Sequence, residues 1–189
     1  MIAGVGGQGT VLASKLAAAA AMKKGYDART TEFIGMAQRG GSVFGHCRIG
    51  ENIFSPKIPL GKADAIIAFE PAEAVRQLPY LKKGGVVIVC DNAVKPVCGP
   101  SVGAYDGAAM IEYLKANLNA SKLIIVDGSK LAGLYVKALN VYLLGAAVQS
   151  GIFPFDAEIL KEALHETLPG RFLKMNISAF ELGRKAAAK

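Results

Sequence analysis

The sequence contains no tryptophan, and only 7% of its 189 residues are aromatic. Its 22 Lys and Arg outnumber its 15 Asp and Glu and give a net charge of +7. These basic residues are not interleaved with aromatic side chains, as they are on many nucleic-acid-binding surfaces, so we expect no nucleic-acid partner. The positive charge instead favours a polyanionic cofactor or an acidic protein partner.

Cysteine and histidine are scarce. The three cysteines, Cys47, Cys90 and Cys98, are scattered and lack the close spacing of zinc or iron–sulfur ligands. His46 and His165 lie far apart and form no metal-binding motif, so we interpret each as a structural or surface residue. We therefore expect reduced thiols, a cytoplasmic location and no metal bound by this chain.

Long hydrophobic runs are also missing. The longest, from Val11 to Met22, is rich in alanine and is interrupted by Ser14 and Lys15. A membrane-spanning helix needs about 20 predominantly apolar residues, so we expect no membrane association. The sequence also does not open with the basic and then apolar segments of an export signal, which makes secretion an unfavoured interpretation.

What the sequence does contain is an alternation of short apolar runs and helical patterns. This alternation predicts one α/β domain over residues 1–189, a three-layer α/β/α Rossmann-like fold with a mostly parallel, partly mixed sheet. The helical C-terminal portion covers about 128–189. Strands are predicted at 1–3, 28–33, 42–49, 63–69, 85–90 and 123–126, with 42–49 antiparallel or at an edge. Helices are predicted up to residue 24 and at 71–78, 128–149, 156–167 and 171–189.

A glycine-rich turn follows the first predicted strand. Gly4, Gly6 and Gly9 match the pattern G-x-G-x-x-G between a strand and a helix. Such a turn brings the N–H groups of the helix N-terminus close to a phosphate, and Thr10 is expected to cap the helix or to donate its hydroxyl to that anion. The alternative is a turn that only lets the helix pack closely on the strand. The candidate binding residues here are Gly6, Gly7, Gln8, Gly9 and Thr10.

A second loop, after the strand at 28–33, supplies the other candidate residues: Arg39, Gly40, Gly41 and Ser42. An arginine beside exposed backbone N–H groups suits a phosphate or a carboxylate. Since we predict that the two loops follow adjacent strands, we expect them to border one crevice at the carboxyl edge of the sheet.

Four apolar residues flank the second loop, and we expect them either to contact a partner or to fold into the domain's own core. They are Ile34, Met36, Val43 and Phe44.

No Ser-His-Asp order, nucleophile elbow or phosphate-binding lysine motif is present, so no residue is predicted to be catalytic. Two alternatives stay open at this point. One is a stand-alone dinucleotide-dependent reductase, for which Glu32 would bind the ribose. The other is a non-enzymatic nucleotide-binding module. Lys130, Lys137 and Asn140 are interpreted as one solvated helix face.

The two loops also carry a family resemblance. The segment Gly4–Gly9 and the segment Thr30–Val43, which includes Gln38-Arg39-Gly40-Gly41-Ser42-Val43, resemble the gamma domain of 2-oxoacid:ferredoxin oxidoreductases. Within that family the chain is most similar to the small subunit of the indolepyruvate type. Residues 68–74, 140–145 and 180–183 extend the resemblance over nearly the whole chain.

The resemblance implies a complex that oxidatively decarboxylates a 2-oxoacid with coenzyme A and passes the electrons to ferredoxin. It also implies that thiamine diphosphate and the iron–sulfur clusters lie on a large partner subunit. This chain would be inactive alone, and its two loops would shape the approach of the substrate or of coenzyme A. Which 2-oxoacid is used, and whether the isolated chain forms a homodimer, are left open.

Overall fold

The computed structural model describes residues 1–35, 40–95, 105–118, 122–131 and 137–188. Within these residues six strands form one sheet in the order β2-β3-β1-β4-β5-β6. The strands are β1 (Ile2–Val5), β2 (Asp27–Ile34), β3 (Ser42–Gly50), β4 (Ala63–Ala68), β5 (Leu81–Cys90) and β6 (Lys122–Val126). Among them β3 runs against the other five.

Helices cover both faces of this sheet. In the described residues they are α1 (Thr10–Lys23), α2 (Pro71–Gln77), α3 (Gly107–Asn117), α4 (Leu139–Gln149), α5 (Ala157–Thr167) and α6 (Gly170–Ala187). Helices α1, α4, α5 and α6 pack on one face, and α2 and α3 on the other. The predicted three-layer α/β/α fold with a mostly parallel, partly mixed sheet is therefore confirmed.

The central strands are apolar at almost every position because both of their faces are buried. Successive side chains of a strand point to opposite faces, so a covered strand needs apolar residues throughout. On β4, Ile66 contributes to the core under α2 and α3, while Ile67 contributes to the core under α1 and α4–α6. On β5, Val87 and Ile88 alternate in the same way.

Strand β3 changes one expectation. It is antiparallel, as predicted, but it lies between β2 and β1, so that β2 and not β3 is at this edge of the sheet. The prediction that β1 and β2 are adjacent is therefore wrong. The physical reason is the short connection between β2 and β3: strands joined this closely form an antiparallel pair, whereas a parallel neighbour needs a longer crossover.

Some helix boundaries agree with the prediction and others do not. Gly25 follows α1 with a φ of 89°, as a C-terminal glycine should. The predicted helix at 128–149 is shorter than expected: a 3₁₀ turn covers Gly128–Leu131, and α4 begins at Leu139. Helix α3 was not predicted, although the side chain of Asp106 caps it by accepting from the N–H groups of Ala108 and Ala109. No helix among the described residues has the length and apolar character needed to cross a membrane.

Candidate functional site

The glycine turn occupies residues 6–9, between β1 and α1. Gly9 is the N-cap of α1 with a φ of 83°, and Gly7 has a φ of 97°. Thr10 is the first helical residue and not the cap, so capping by its hydroxyl was a wrong prediction. The N–H groups of the first helical turn lack intrahelical acceptors by geometry, which leaves the backbone available to an anion.

Gln8 uses its side chain to hold this turn in place. Its Oε1 accepts the N–H of Val5 at 2.8 Å, and its Nε2 donates to the carbonyl of Phe69 at 3.1 Å. The amide thus links the carboxyl ends of β1 and β4. A Cβ at Gly4 would lie 2.7 Å from Gln8 Oε1, so Gly4 makes room for this link. Gln8 can therefore shape a ligand site while its own polar atoms are bonded within the protein.

Asn140 supports the turn from the other side, which the sequence interpretation missed. It is 3% exposed, and a Cβ at Gly9 would lie 2.7 Å from its Nδ2. The solvated-face interpretation is therefore wrong for Asn140, whereas Lys130 and Lys137 are exposed as expected. Asn140 lies 131 residues from Gly9, so no local pattern could have connected the two.

The glycine turn and the second loop are in direct contact. The N–H of Gly6 donates to the carbonyl of Gly41 at 2.8 Å, and Val5 is paired with Ser42 in the sheet. The loops meet because the second loop leads into β3, which is the neighbour of β1. Arg39 lies outside the described residues, so its place beside this contact stays a prediction.

A crevice of about 170 Å³ opens beside the contact between the two loops. It lies at the carboxyl ends of β1 and β4, where ligands bind in open α/β sheets. Two carboxyl side chains in its wall are almost fully buried, Glu70 at 2% and Glu73 at 1% exposure. The lining residues are Val5, Gly40, Ser42, Glu70, Ala72, Glu73, Arg76, Val94 and Tyr105.

Each of these carboxyl groups has several hydrogen-bond partners. Glu73 accepts from the hydroxyl of Ser42 at 2.6 Å and pairs with the guanidinium of Arg76. Glu70 accepts the N–H of Glu73 at 3.1 Å, as the cap of α2, and also accepts from the hydroxyl of Tyr105. The hydroxyl of Ser42 therefore links the second loop to α2. Ser42 was predicted to be a ligand-binding residue, but its hydroxyl is bonded within the protein.

Burial dominates the electrostatics of this cluster. It raises the pKa of Glu73 above 4.5, while the bonds from Ser42 and Arg76 act in the opposite direction. Burial and the bond to Glu70 also raise the pKa of Tyr105. Since Arg76 is paired with Glu73, the described wall of the crevice is acidic. Anion binding at this edge would therefore depend on Arg39 and on the backbone N–H groups of the turn.

Sequence reasoning did not select Glu70 and Glu73 as site residues. Glu70 directly precedes Pro71 and caps α2. Its second role in the crevice depends on Tyr105, which is held close by α3, a helix that was not predicted.

Glu32 does not lie where a ribose-binding acid should be. In the sheet Glu32 pairs with Gly45, and Gly45 pairs with Ile2 at the start of β1. The glycine turn lies at the opposite end of β1, and β3 separates β2 from β1. The geometry therefore gives no support to a dinucleotide site closed by Glu32.

A larger cavity, of about 560 Å³, lies at the other end of the sheet. It is a gap between β3 and β4 in the plane of the sheet, next to the amino end of β1. Its lining residues include Cys47, Ala65 and Phe153. Its position at the amino end of β1 separates it from the two candidate loops.

The fold and the crevice together define the class of protein. It is a mixed α/β domain with a mostly parallel six-stranded sheet, and its described residues hold no group of three or more His, Cys, Asp or Glu arranged to hold a metal ion. The family model described as pyruvate ferredoxin/flavodoxin oxidoreductase matches residues 1–186. The chain belongs to this family.

The chain is similar in sequence to subunits of several oxidoreductases. The chain is 40% identical over 190 residues to the indolepyruvate oxidoreductase subunit IorB of Pyrococcus horikoshii, covering 99% of this chain and 94% of that protein. It is 28% identical to the pyruvate/ketoisovalerate oxidoreductases common subunit gamma of Thermococcus kodakarensis, covering 94% and 90%.

Solved structures support the fold. A keto/oxoacid ferredoxin oxidoreductase gamma subunit from Geobacter sulfurreducens matches with a TM-score of 0.67 and 22% identity, covering 99% of this chain and 96% of that one. A 2-oxoglutarate:ferredoxin oxidoreductase from Magnetococcus marinus matches with a TM-score of 0.73 and 19% identity, covering 99% of this chain and 30% of the larger chain. The same fold thus occurs as a separate subunit and as part of a longer polypeptide.

Proposed function

We propose that this chain is the small subunit of a complex that oxidatively decarboxylates indolepyruvate or a related 2-oxoacid to its acyl-CoA and reduces ferredoxin. The observation that carries the proposal is the 40% identity to an indolepyruvate oxidoreductase subunit across 99% of the chain. In this proposal the chain supports assembly and shapes the approach of the substrate or of coenzyme A, and it contributes no catalytic residue.

Thiamine diphosphate and the iron–sulfur clusters are assigned to a large partner subunit, and ferredoxin is reached through the complex. The positions of the cysteines support this division. Cys47 lies on β3 and Cys90 on β5, with β1 and β4 between them. Both are free thiols, which also supports the proposed cytoplasmic location.

The two loops form the proposed binding edge. Gly7, Gly9 and Thr10 offer backbone N–H groups and the positive end of α1, while Gln8 fixes the turn. Gly6 donates its N–H to the carbonyl of Gly41 and so joins the turn to the second loop, Gly40 lines the crevice, and Ser42 anchors the second loop on Glu73. Arg39 is proposed to supply the cation that an anionic group of coenzyme A requires in an otherwise acidic crevice.

The test is reconstitution with the large subunit from the same organism. We expect 2-oxoacid-dependent ferredoxin reduction when the chain, the large subunit, thiamine diphosphate and coenzyme A are combined, and none from the isolated chain. Ferredoxin reduction by the isolated chain with the same additions would contradict the proposal.

The role of Arg39 can be measured in the same assay. Arg39→Ala should raise the KM for coenzyme A more than Arg39→Lys does, because lysine keeps the charge although it cannot form a bidentate pair. Equal effects of the two substitutions would show that charge at residue 39 is not the operative property.

The stand-alone reductase is not favoured, because Glu32 lies away from the glycine turn. It would be recognised by a flavin or nicotinamide that co-purifies with the chain.

A further inference from the structure

One face of the β2–β3 hairpin is only partly covered by helices in the described structure: Phe44 packs at the margin of the core under α2 and α3, and Tyr80 contacts His46. Side chains of a strand alternate between faces, and Ala28, Cys47 and Ile49 point towards α1. The opposite face carries the alternate residues, while α2, on that side of the sheet, packs against β1, β4 and β5. We call this the hairpin face and define it by four residues: Arg29, Phe33, Phe44 and Arg48.

The centre of the hairpin face is aromatic. Phe33 and Phe44 are directly opposite in the sheet, and their rings stack with centroids 4.8 Å apart and planes 15° apart. The ring of His46 lies 5.3 Å from Phe33, and that of Tyr80 lies 5.2 Å from His46, which continues the row inwards. Phe33 is 39% exposed although its residue type is usually buried.

The segment bonded to Arg48 carries a further exposed aromatic side chain. Phe54 is 91% exposed, and its neighbour Ser55 accepts a bond from Arg48 at 3.0 Å. The segment that carries Phe54 is therefore held against the hairpin face. Exposed apolar surface of this kind marks interaction sites on soluble proteins.

Two arginines lie at one end of the hairpin face, beyond the pair of Thr31 and His46. Arg29 and Arg48 are directly opposite in the sheet, an arrangement in which like charges repel. Their guanidinium groups donate to the backbone carbonyls of Ala28 and Ser55. Within the described residues neither arginine forms a salt bridge with a carboxylate. A surface that covers this face would therefore gain from carrying carboxylates.

The charges also distinguish between occupants. A second copy is disfavoured as the occupant because each chain carries a net charge of +7. A protein surface with apolar side chains opposite Phe33 and carboxylates opposite the two arginines satisfies both features of the hairpin face.

We propose that the hairpin face docks on the large subunit of the complex, at an apolar surface with carboxylates at one end. This inference rests on the proposed function, and it identifies which surface of the chain forms the interface.

The test is the dissociation constant between the chain and the purified large subunit. Phe33→Ser and, separately, Arg29→Glu should each weaken binding by about tenfold or more, as central apolar and charged contacts do. Phe172→Ser is the matched control for the first, because Phe172 is 40% exposed on α6. Lys122→Glu, at an exposed residue of β6, makes the same change of net charge as Arg29→Glu. Both controls should bind within about twofold of the unaltered chain.

The possible results separate the two proposals. If the unaltered chain does not bind the large subunit, the proposed function fails together with this inference. If it binds and the hairpin variants bind equally well, the hairpin inference alone is overturned. A self-associated chain that Phe33→Ser makes monomeric, without loss of large-subunit binding, also overturns it. Arg29 is exposed, so Arg29→Glu keeps the test valid should Phe33→Ser fail to fold.

Discussion

Gly7 and Gly9 differ in their surroundings although both have positive φ. No atom lies within 4 Å of a Cβ built on Gly7, whereas one on Gly9 meets Asn140 at 2.7 Å. Gly7→Ala should therefore cost about 1 to 2 kcal/mol of unfolding free energy, the cost of the backbone conformation alone. Gly9→Ala should cost about 1 to 3 kcal/mol more, because Asn140 must move. Chemical denaturation of both variants measures the difference, and equal losses would show that Asn140 does not constrain the turn.

The raised pKa of Glu73 predicts how the unfolding free energy changes with pH. Burial raises its pKa in the folded state above 4.5, so the folded chain holds a proton that the unfolded chain has released. Stability contributed by this group is present below the unfolded pKa and is lost as the pH rises through the folded pKa. The unfolding free energy of the unaltered chain should therefore fall relative to that of Glu73→Gln as the pH rises above 4.5. A difference that stays constant with pH would contradict the raised pKa.

At this scale the glycine pattern allowed a prediction of the turn, because the left-handed conformation of Gly7 and Gly9 is a local property. The contacts that Asn140 and Tyr105 make could not be predicted. Asn140 lies on α4 and Tyr105 directly before α3, both far from the turn in sequence. Contacts between distant segments produce no recognisable spacing in a single sequence.

At the scale of elements, α4 and α6 cross with their backbones in contact. A Cβ at Gly183 would overlap the carbonyl of Tyr142, and one at Gly145 would overlap the carbonyl of Phe180. Gly183→Ala should therefore force the helices apart and destabilise the chain by about 3 kcal/mol or more. Gly170→Ala is the matched control, because Gly170 begins the same helix and no atom lies within 4 Å of its added Cβ. Thermal unfolding of both variants measures the effect, and similar melting temperatures would disprove the close crossing.

The strands were predictable because burial on both faces makes residues 65–68 of β4 and 86–90 of β5 continuously apolar. The order of the strands in the sheet was harder to predict. The sequence predicts an antiparallel strand at 42–49, but its insertion between β2 and β1 depends on pairing with β1, which is a long-range property. Helix α3 was missed because Ile111 and Leu114 provide a narrow buried stripe after Gly107.

At the scale of the whole molecule, the sheet order determines how far apart the cysteines lie. Cys47 and Cys90 are on β3 and β5, which are three strand spacings apart, or about 14 Å at ~4.8 Å per spacing. Ligands of one iron–sulfur cluster have to lie much closer than this. Burial also raises the pKa of both thiols to about 11, so few are in the thiolate form that binds metal.

These two properties predict the result of anaerobic reconstitution with iron and sulfide. The purified chain should gain no stoichiometric iron and no visible absorbance, whereas the large subunit treated in parallel should gain both. Alkylation gives an independent measurement: Cys90, which is fully buried, should resist a thiol reagent in the folded chain and react once it is unfolded, since a buried protonated thiol is a poor nucleophile. Stoichiometric iron on the isolated chain, lost on substitution of Cys47 or Cys90, would mean that the sheet does not separate these residues as described and that this subunit carries a redox centre of its own.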